Sequence, residues 1–93
     1  MKIQTLTSEL SKKLGVGESE LIYKGLLALI QKEIRKAEHE IVALRERYDV
    51  FSETELYDSI KNGEIVEHPA WEDYIIWKNK KTHIKNLQQM VSE

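Results

Sequence analysis

The stretch that decides the fold is ESELIYKGLLALIQKEIRKAEHEIVALRERY, residues Glu18–Tyr48. It contains no proline, and Gly25 is its one interior breaker, at a cost of about 1 kcal/mol relative to alanine. Apolar residues recur every four or three positions from Ile30 and Ile34 onward, which is a heptad-type helical spacing. The stretch therefore predicts one helix at about 18–48, roughly 45 Å long at about 1.5 Å per residue.

A helix of this length has more apolar surface than a small monomer covers, so it must pack against the C-terminal helix, a second copy, or both. The segment 26–30 is apolar on every side, and we expect it to be buried on most of them. We predict a helical hairpin that packs as a dimer. The predicted dimer interface consists of Leu26, Leu27, Ile30, Ile34, Ala37, Ile41 and Leu44.

A short helix precedes the long one. Leucines recur every four residues from Leu6 to Leu14, which places them on one helical face. Thr7 or Ser8 offers a capping hydroxyl for its start. Gly15 is suited to the left-handed position that closes a helix end.

A third helix is predicted at about 53–62. Ser52 and Glu55 have the spacing of a capping box, in which the side chain of each residue accepts a hydrogen bond from the backbone N–H of the other. Phe51 and Leu56 flank this box at the two positions of a hydrophobic staple.

The last helix is predicted at about 69–91, because Pro69 is favoured at the first helical position. With four helices and no strand pattern, the fold class is all-α. We expect a single helical domain, 1–93, in which residues 1–50 serve dimerisation and residues 51–93 bind a partner.

Composition excludes several classes of protein. The 93 residues include four glycines, one proline and no cysteine, which excludes a disulfide scaffold and a cysteine metal site. There is no apolar run long enough for a membrane span and no signal peptide, so we expect a cytoplasmic protein that does not bind a membrane. Without a phosphate loop or a nucleophile motif, we expect no enzyme and no cofactor. His68 and Glu72 could share a metal, but a capping pair is favoured, and His39 is expected at the surface.

Aromatic residues crowd the start of the last helix. Trp71, Tyr74 and Trp77 could anchor a partner, since tryptophan and tyrosine dominate interface hot spots, or could pack over the long helix as core. Acidic residues accompany them. The predicted partner-binding residues are Glu64, Glu67, Trp71, Glu72, Asp73, Tyr74 and Trp77.

The first two helices and the glycine turn between them have the layout of a helix-turn-helix or a ribbon-helix-helix, as well as that of a purely structural hairpin. In a ribbon-helix-helix, residues 1–5 would form an extended arm. Glu18 and Glu20 at the head of the second helix would repel phosphates. The residues available for binding DNA are Lys2, Gln4, Lys12, Lys13 and Lys24.

Two stretches carry a resemblance to known families. The run LGVGESELI, residues 14–22, resembles the turn and second helix of ribbon-helix-helix antitoxins. The runs RYDV at 47–50, KNGEI at 61–65 and EHPAWED at 67–73 are similar to small archaeal and bacterial proteins associated with toxin–antitoxin gene pairs.

The resemblance implies the antitoxin of a toxin–antitoxin pair, a non-enzymatic protein that binds and neutralises a partner toxin. The acids before and within the last helix would then face a basic cleft of that toxin. Two alternatives stay open, namely a DNA-binding regulator that uses the N-terminal helix pair, and a helical oligomeric scaffold with neither activity.

Overall fold

A computed structural model describes residues 2–92, and within them every regular element is a helix. The helices are α1 (Ile3–Leu14), α2 (Glu18–Tyr48), α3 (Glu53–Lys61) and α4 (Glu67–Ser92). The predicted all-α class is confirmed, and the predicted bounds of the second to fourth helices agree within two residues. The dimer stays a prediction.

The extended arm that a ribbon-helix-helix would form at residues 1–5 is wrong over its described part, and Met1 lies outside the described residues. Helix α1 already begins at Ile3, and Gln4 and Thr5 lie inside it. Leu6 N donates to Lys2 O at 3.1 Å, and the Thr7 hydroxyl donates to Ile3 O at 2.8 Å, so Thr7 does not act as a cap. The two β-branched residues in this short segment were too few to predict a strand, because β-propensity depends on a partner strand.

The ends of the helices follow local sequence. Gly15 closes α1 with a left-handed φ of 68°, and its N–H donates to Ser11 O, as predicted. In α4, His68 has non-helical angles (φ −111°, ψ 131°), so the regular helix starts at Pro69, as predicted.

The Ser52 half of the capping box of α3 is confirmed, but its reciprocal half and the hydrophobic staple are wrong. Glu55 N donates to Ser52 Oγ at 3.1 Å, whereas the Glu55 carboxylate accepts from Phe51 N at 2.9 Å, one residue before the cap. Leu56 is fully buried, whereas Phe51 is 86% exposed. Val50 takes the core position instead, because it is buried in the same cluster as Leu56.

The chain divides into two compact units, residues 1–32 and residues 33–93. The functional parts expected at 1–50 and 51–93 stay a prediction. The second part of α2 shares a core with α3 and α4. That core is formed by Ile41, Leu44, Val50, Leu56, Ala70 and Trp77. Within residues 2–92, no helix has both the length and the apolar content to cross a membrane.

Ion pairs fix the direction of the helices in the second unit. Lys80 on α4 pairs with Glu40 on α2, while Asp73 on α4 contacts Tyr48 at the end of α2. Rising numbers on one helix thus meet falling numbers on the other, so α2 and α4 are antiparallel. Lys81 Nζ lies 2.7 Å from a Glu53 carboxylate oxygen and ties the start of α3 to α4.

Candidate functional site

Asp73 is a structural residue of the second unit. Its side chain is almost completely buried and accepts hydrogen bonds from the Tyr48 hydroxyl and from Arg47 Nη1, the latter at 2.8 Å. Burial, together with the Asp73 carboxylate, raises the pKa of Tyr48 above its ordinary value of 10.0. Asp73 therefore has no free surface for a partner, which corrects its prediction as a partner-binding residue.

The prediction of Trp77 as a partner-binding residue is also wrong. Its side chain is only 2% exposed and packs in the core with Ile41 and Leu44 of α2. The aromatic residues were interpreted either as a partner anchor or as core. Trp77 is core, because its position on α4 points it at the long helix.

The residues of the predicted dimer interface differ in their burial. Ala37, Ile41 and Leu44 are buried within their own chain, so they lack the free surface that a dimer interface needs, and their prediction is corrected. The four remaining residues retain accessible surface. Leu26 is 57% exposed, and Leu27, Ile30 and Ile34 are half-buried.

The first unit presents an apolar surface to solvent. Among the described residues 2–32, none is buried. The segment 26–30, expected to be buried on most sides, is not covered by its own chain, because Leu26 and Leu29 are each more than half exposed. We call the following set the N-terminal apolar surface: Ile3, Leu6, Leu10, Leu14, Ile22, Tyr23, Leu26 and Leu29.

The second unit has a surface of aromatic rings where α3 meets α4. Tyr57, Trp71 and Tyr74, which we call the aromatic cluster, have ring centroids 5.3 to 6.2 Å apart in tilted pairs, a favourable range for aromatic contacts. Trp71 remains 38% exposed and Tyr74 is half-buried, so the predicted aromatic segment is divided between surface and core.

The sequence patterns did not predict Tyr57 as a member of the site. It lies next to Leu56 of the capping motif, and a single aromatic residue in a nine-residue helix gives no periodic signal. The available signal was Lys61, four residues later on the same helical face. Lys61 Nζ lies 5.7 Å from the Tyr57 ring centroid.

The predicted acidic residues other than Asp73 are accessible. Glu64, Glu67 and Glu72 are all exposed. Glu72 Oε1 lies 2.9 Å from His68 Nδ1. The pKa of Glu72 is lowered below its ordinary value of 4.5, first by a hydrogen bond with its own backbone and second by the hydrogen bond with His68. Within residues 2–92, no three acidic or histidine side chains are grouped so that they could hold a metal ion.

The residues considered for DNA binding are exposed, but among the described residues 2–5 the chain forms no ribbon strand that could use two of them. Gln4 lies in α1 and Lys2 directly precedes it. Lys12 and Lys13 lie in the last turn of α1, where their charge stabilises the helix end. Lys24 is paired with Glu20 at 3.1 Å.

Comparison with known proteins gives the family and no further relative. No curated protein and no solved structure matches this chain. One family model matches it over residues 1–93, the whole length of the sequence. The chain therefore belongs to the family described as the Uncharacterized protein MJ0235 family.

Proposed function

We propose that this protein is a non-enzymatic interaction protein that forms a dimer through its first unit and binds and neutralises a partner toxin through its second. The observation that carries the proposal is the N-terminal apolar surface. Eight large apolar side chains, each between 39% and 82% exposed, lie on α1 and the first part of α2. Large apolar side chains exposed in this number on two consecutive helices indicate an interaction site.

A second copy of the chain is the proposed occupant of this surface. Full burial of one such side chain contributes about 1.5–3 kcal/mol. In a dimer with two-fold symmetry the same side chains are covered on both copies, so each such gain is obtained twice and opposes the cost of association.

The charges beside this surface suit a two-fold arrangement. Lys12 and Lys13 end α1 and Glu18 begins α2, so opposite charges stand close together in the sequence, whereas Glu20 is already paired with Lys24 of its own helix. In a dimer with two-fold symmetry the same patch meets itself, and the basic end of α1 can face Glu18 of the other copy. The patch is thus complementary to itself in charge as well as in apolar character.

Sedimentation equilibrium tests the dimer. The parent chain is expected to sediment as a dimer, and Leu10→Asp or Leu26→Asp is expected to give monomers, because each buries a charge in the proposed interface. Val66→Asp is the matched control, since Val66 is 79% exposed but lies in the second unit. A monomeric parent chain, or Asp variants that remain dimeric, would contradict this interface.

A toxin is the proposed partner of the second unit. The support comes from the resemblance of residues 47–73 to proteins of toxin–antitoxin gene pairs, and from the exposed acids Glu64, Glu67 and Glu72 beside the accessible ring of Trp71. Aromatic anchors with a charged rim are typical of protein interfaces.

Co-expression with the product of the adjacent gene tests this partner. If that product arrests growth when expressed alone, the present chain should restore growth and co-purify with it. A variant that combines Glu67→Lys with Trp71→Ala should lose both effects, while Glu38→Lys, an exposed change on α2, should keep them. The proposal would be refuted if the parent chain neither formed a complex with this product nor restored growth.

A further inference from the structure

The aromatic cluster borders a cavity that combines ring surface with a carboxylate. The cavity has a volume of about 270 Å³ and is lined by Tyr57, Ile60, Lys61, Glu67 and Trp71. All five lining residues belong to α3 and the start of α4, within the second unit. Its size suits one long side chain of a partner.

The rings of the cluster already attract cations of their own chain. Lys61 Nζ lies 5.7 Å from the Tyr57 ring centroid, and Lys78 Nζ lies 5.6 Å from that of Tyr74. Both distances are within the range in which the negative face of an aromatic ring attracts a positive charge. The site therefore has the electrostatic character of a cation acceptor.

The segment that carries the cavity is acidic, although Lys78 of α4 also reaches the aromatic cluster. Residues 49–73 contain eight acids and a single lysine, Lys61. Several of these acids are engaged, since Glu53 and Asp73 each form an ion pair and Glu72 lies within hydrogen-bond distance of His68. Among the described residues, no ion pair involves Asp58, Glu64 or Glu67, and all three are exposed.

We propose that this cavity receives an arginine side chain from a basic segment of the partner protein. A guanidinium is planar, so it can stack on the ring of Trp71 or Tyr57 while it donates hydrogen bonds to the Glu67 carboxylate. In the free chain, Lys61 holds the position of the arriving cation and repels it. This inference rests on the proposed function only in taking a protein as the partner.

Binding of a labelled peptide of alternating arginine and glycine, followed by fluorescence anisotropy, tests the proposal. Glu67→Gln is expected to weaken binding about two- to fivefold, the range for an exposed ion pair. Trp71→Leu should weaken it by a similar factor, the range for an exposed cation–π contact. Lys61→Gln should strengthen binding, because it removes a competing cation.

The sign of the Lys61→Gln effect separates this proposal from its opposite. If the cavity took an anion instead, Lys61→Gln would weaken binding and Glu67→Gln would strengthen it. Glu38→Gln is the matched control and should leave the affinity unchanged. A preference for a glutamate–glycine peptide, or for a single-stranded oligonucleotide stacked on the rings, would overturn the proposal.

The same variants distinguish this inference from the proposed function. If the adjacent gene product does not bind but the arginine peptide shows the expected pattern, the toxin is wrong and the cation site stands. If the gene product binds with unchanged affinity to Glu67→Gln and Lys61→Gln chains, the cation site is wrong and the proposed function stands.

Discussion

Replacing Asp73 by alanine should strongly destabilise the second unit. The change removes the acceptor of the Tyr48 hydroxyl and of Arg47 Nη1. A hydrogen bond to a charged group contributes about 1.5–3 kcal/mol, and the half-buried hydroxyl of Tyr48 would be left without its partner. No contribution is assigned to Arg47, because its side chain is 57% exposed and solvent screens its charge. The expected loss in free energy of unfolding is therefore about 1.5–3 kcal/mol.

Urea unfolding followed by far-UV circular dichroism measures this loss, with all chains at one concentration because dimerisation links stability to concentration. A double-mutant cycle with Tyr48→Phe isolates the contact, since Phe keeps the ring and removes only the donor. The two single changes should be strongly non-additive. A loss below about 0.5 kcal/mol, typical of an unconstrained surface residue, would refute the structural role of Asp73.

Three further outcomes are expected from the same unfolding assay. Leu56→Ala should cost about 2–5 kcal/mol, because Leu56 is fully buried, and a smaller loss would contradict its core position. Phe51→Ala should change stability by less than about 0.5 kcal/mol, because Phe51 is 86% exposed, whereas a larger loss would restore the hydrophobic staple. Burial raises the pKa of Glu53, but the hydrogen bond from Lys81 and the Glu53 backbone outweigh it and leave this pKa below 4.5. The Glu53–Lys81 pair therefore stabilises the fold above about pH 4.5 and loses its effect as the pH falls through the lowered pKa. When the pH is lowered from neutral to acidic, the free energy of unfolding of the Lys81→Met variant should fall by less than that of the parent chain. An equal loss in both chains would show that the pair does not contribute.

The predictions succeeded where the interactions join residues close together in the chain and failed where they join distant ones. Gly15, Ser52 and Pro69 were assigned correctly as helix ends, because capping involves only residues within one turn. The arm considered for residues 1–5 was wrong over the described residues 3–5, because two β-branched residues are too weak a local signal for a strand. The aromatic cluster was found in part, because Trp71 and Tyr74 share one helix and Tyr57 comes from another.

The four helices and the face on which each carries its apolar residues follow from local periodicity, since a period of 3.6 is a property of neighbouring residues. What covers each face depends on how the helices pack. Along one and the same stripe of α2, Ile41 is covered by Trp77 of α4, while Leu26 is left to solvent. Burial depends on residues far away in the chain, and for this reason periodicity could identify the stripe but could not divide it into core and docking surface.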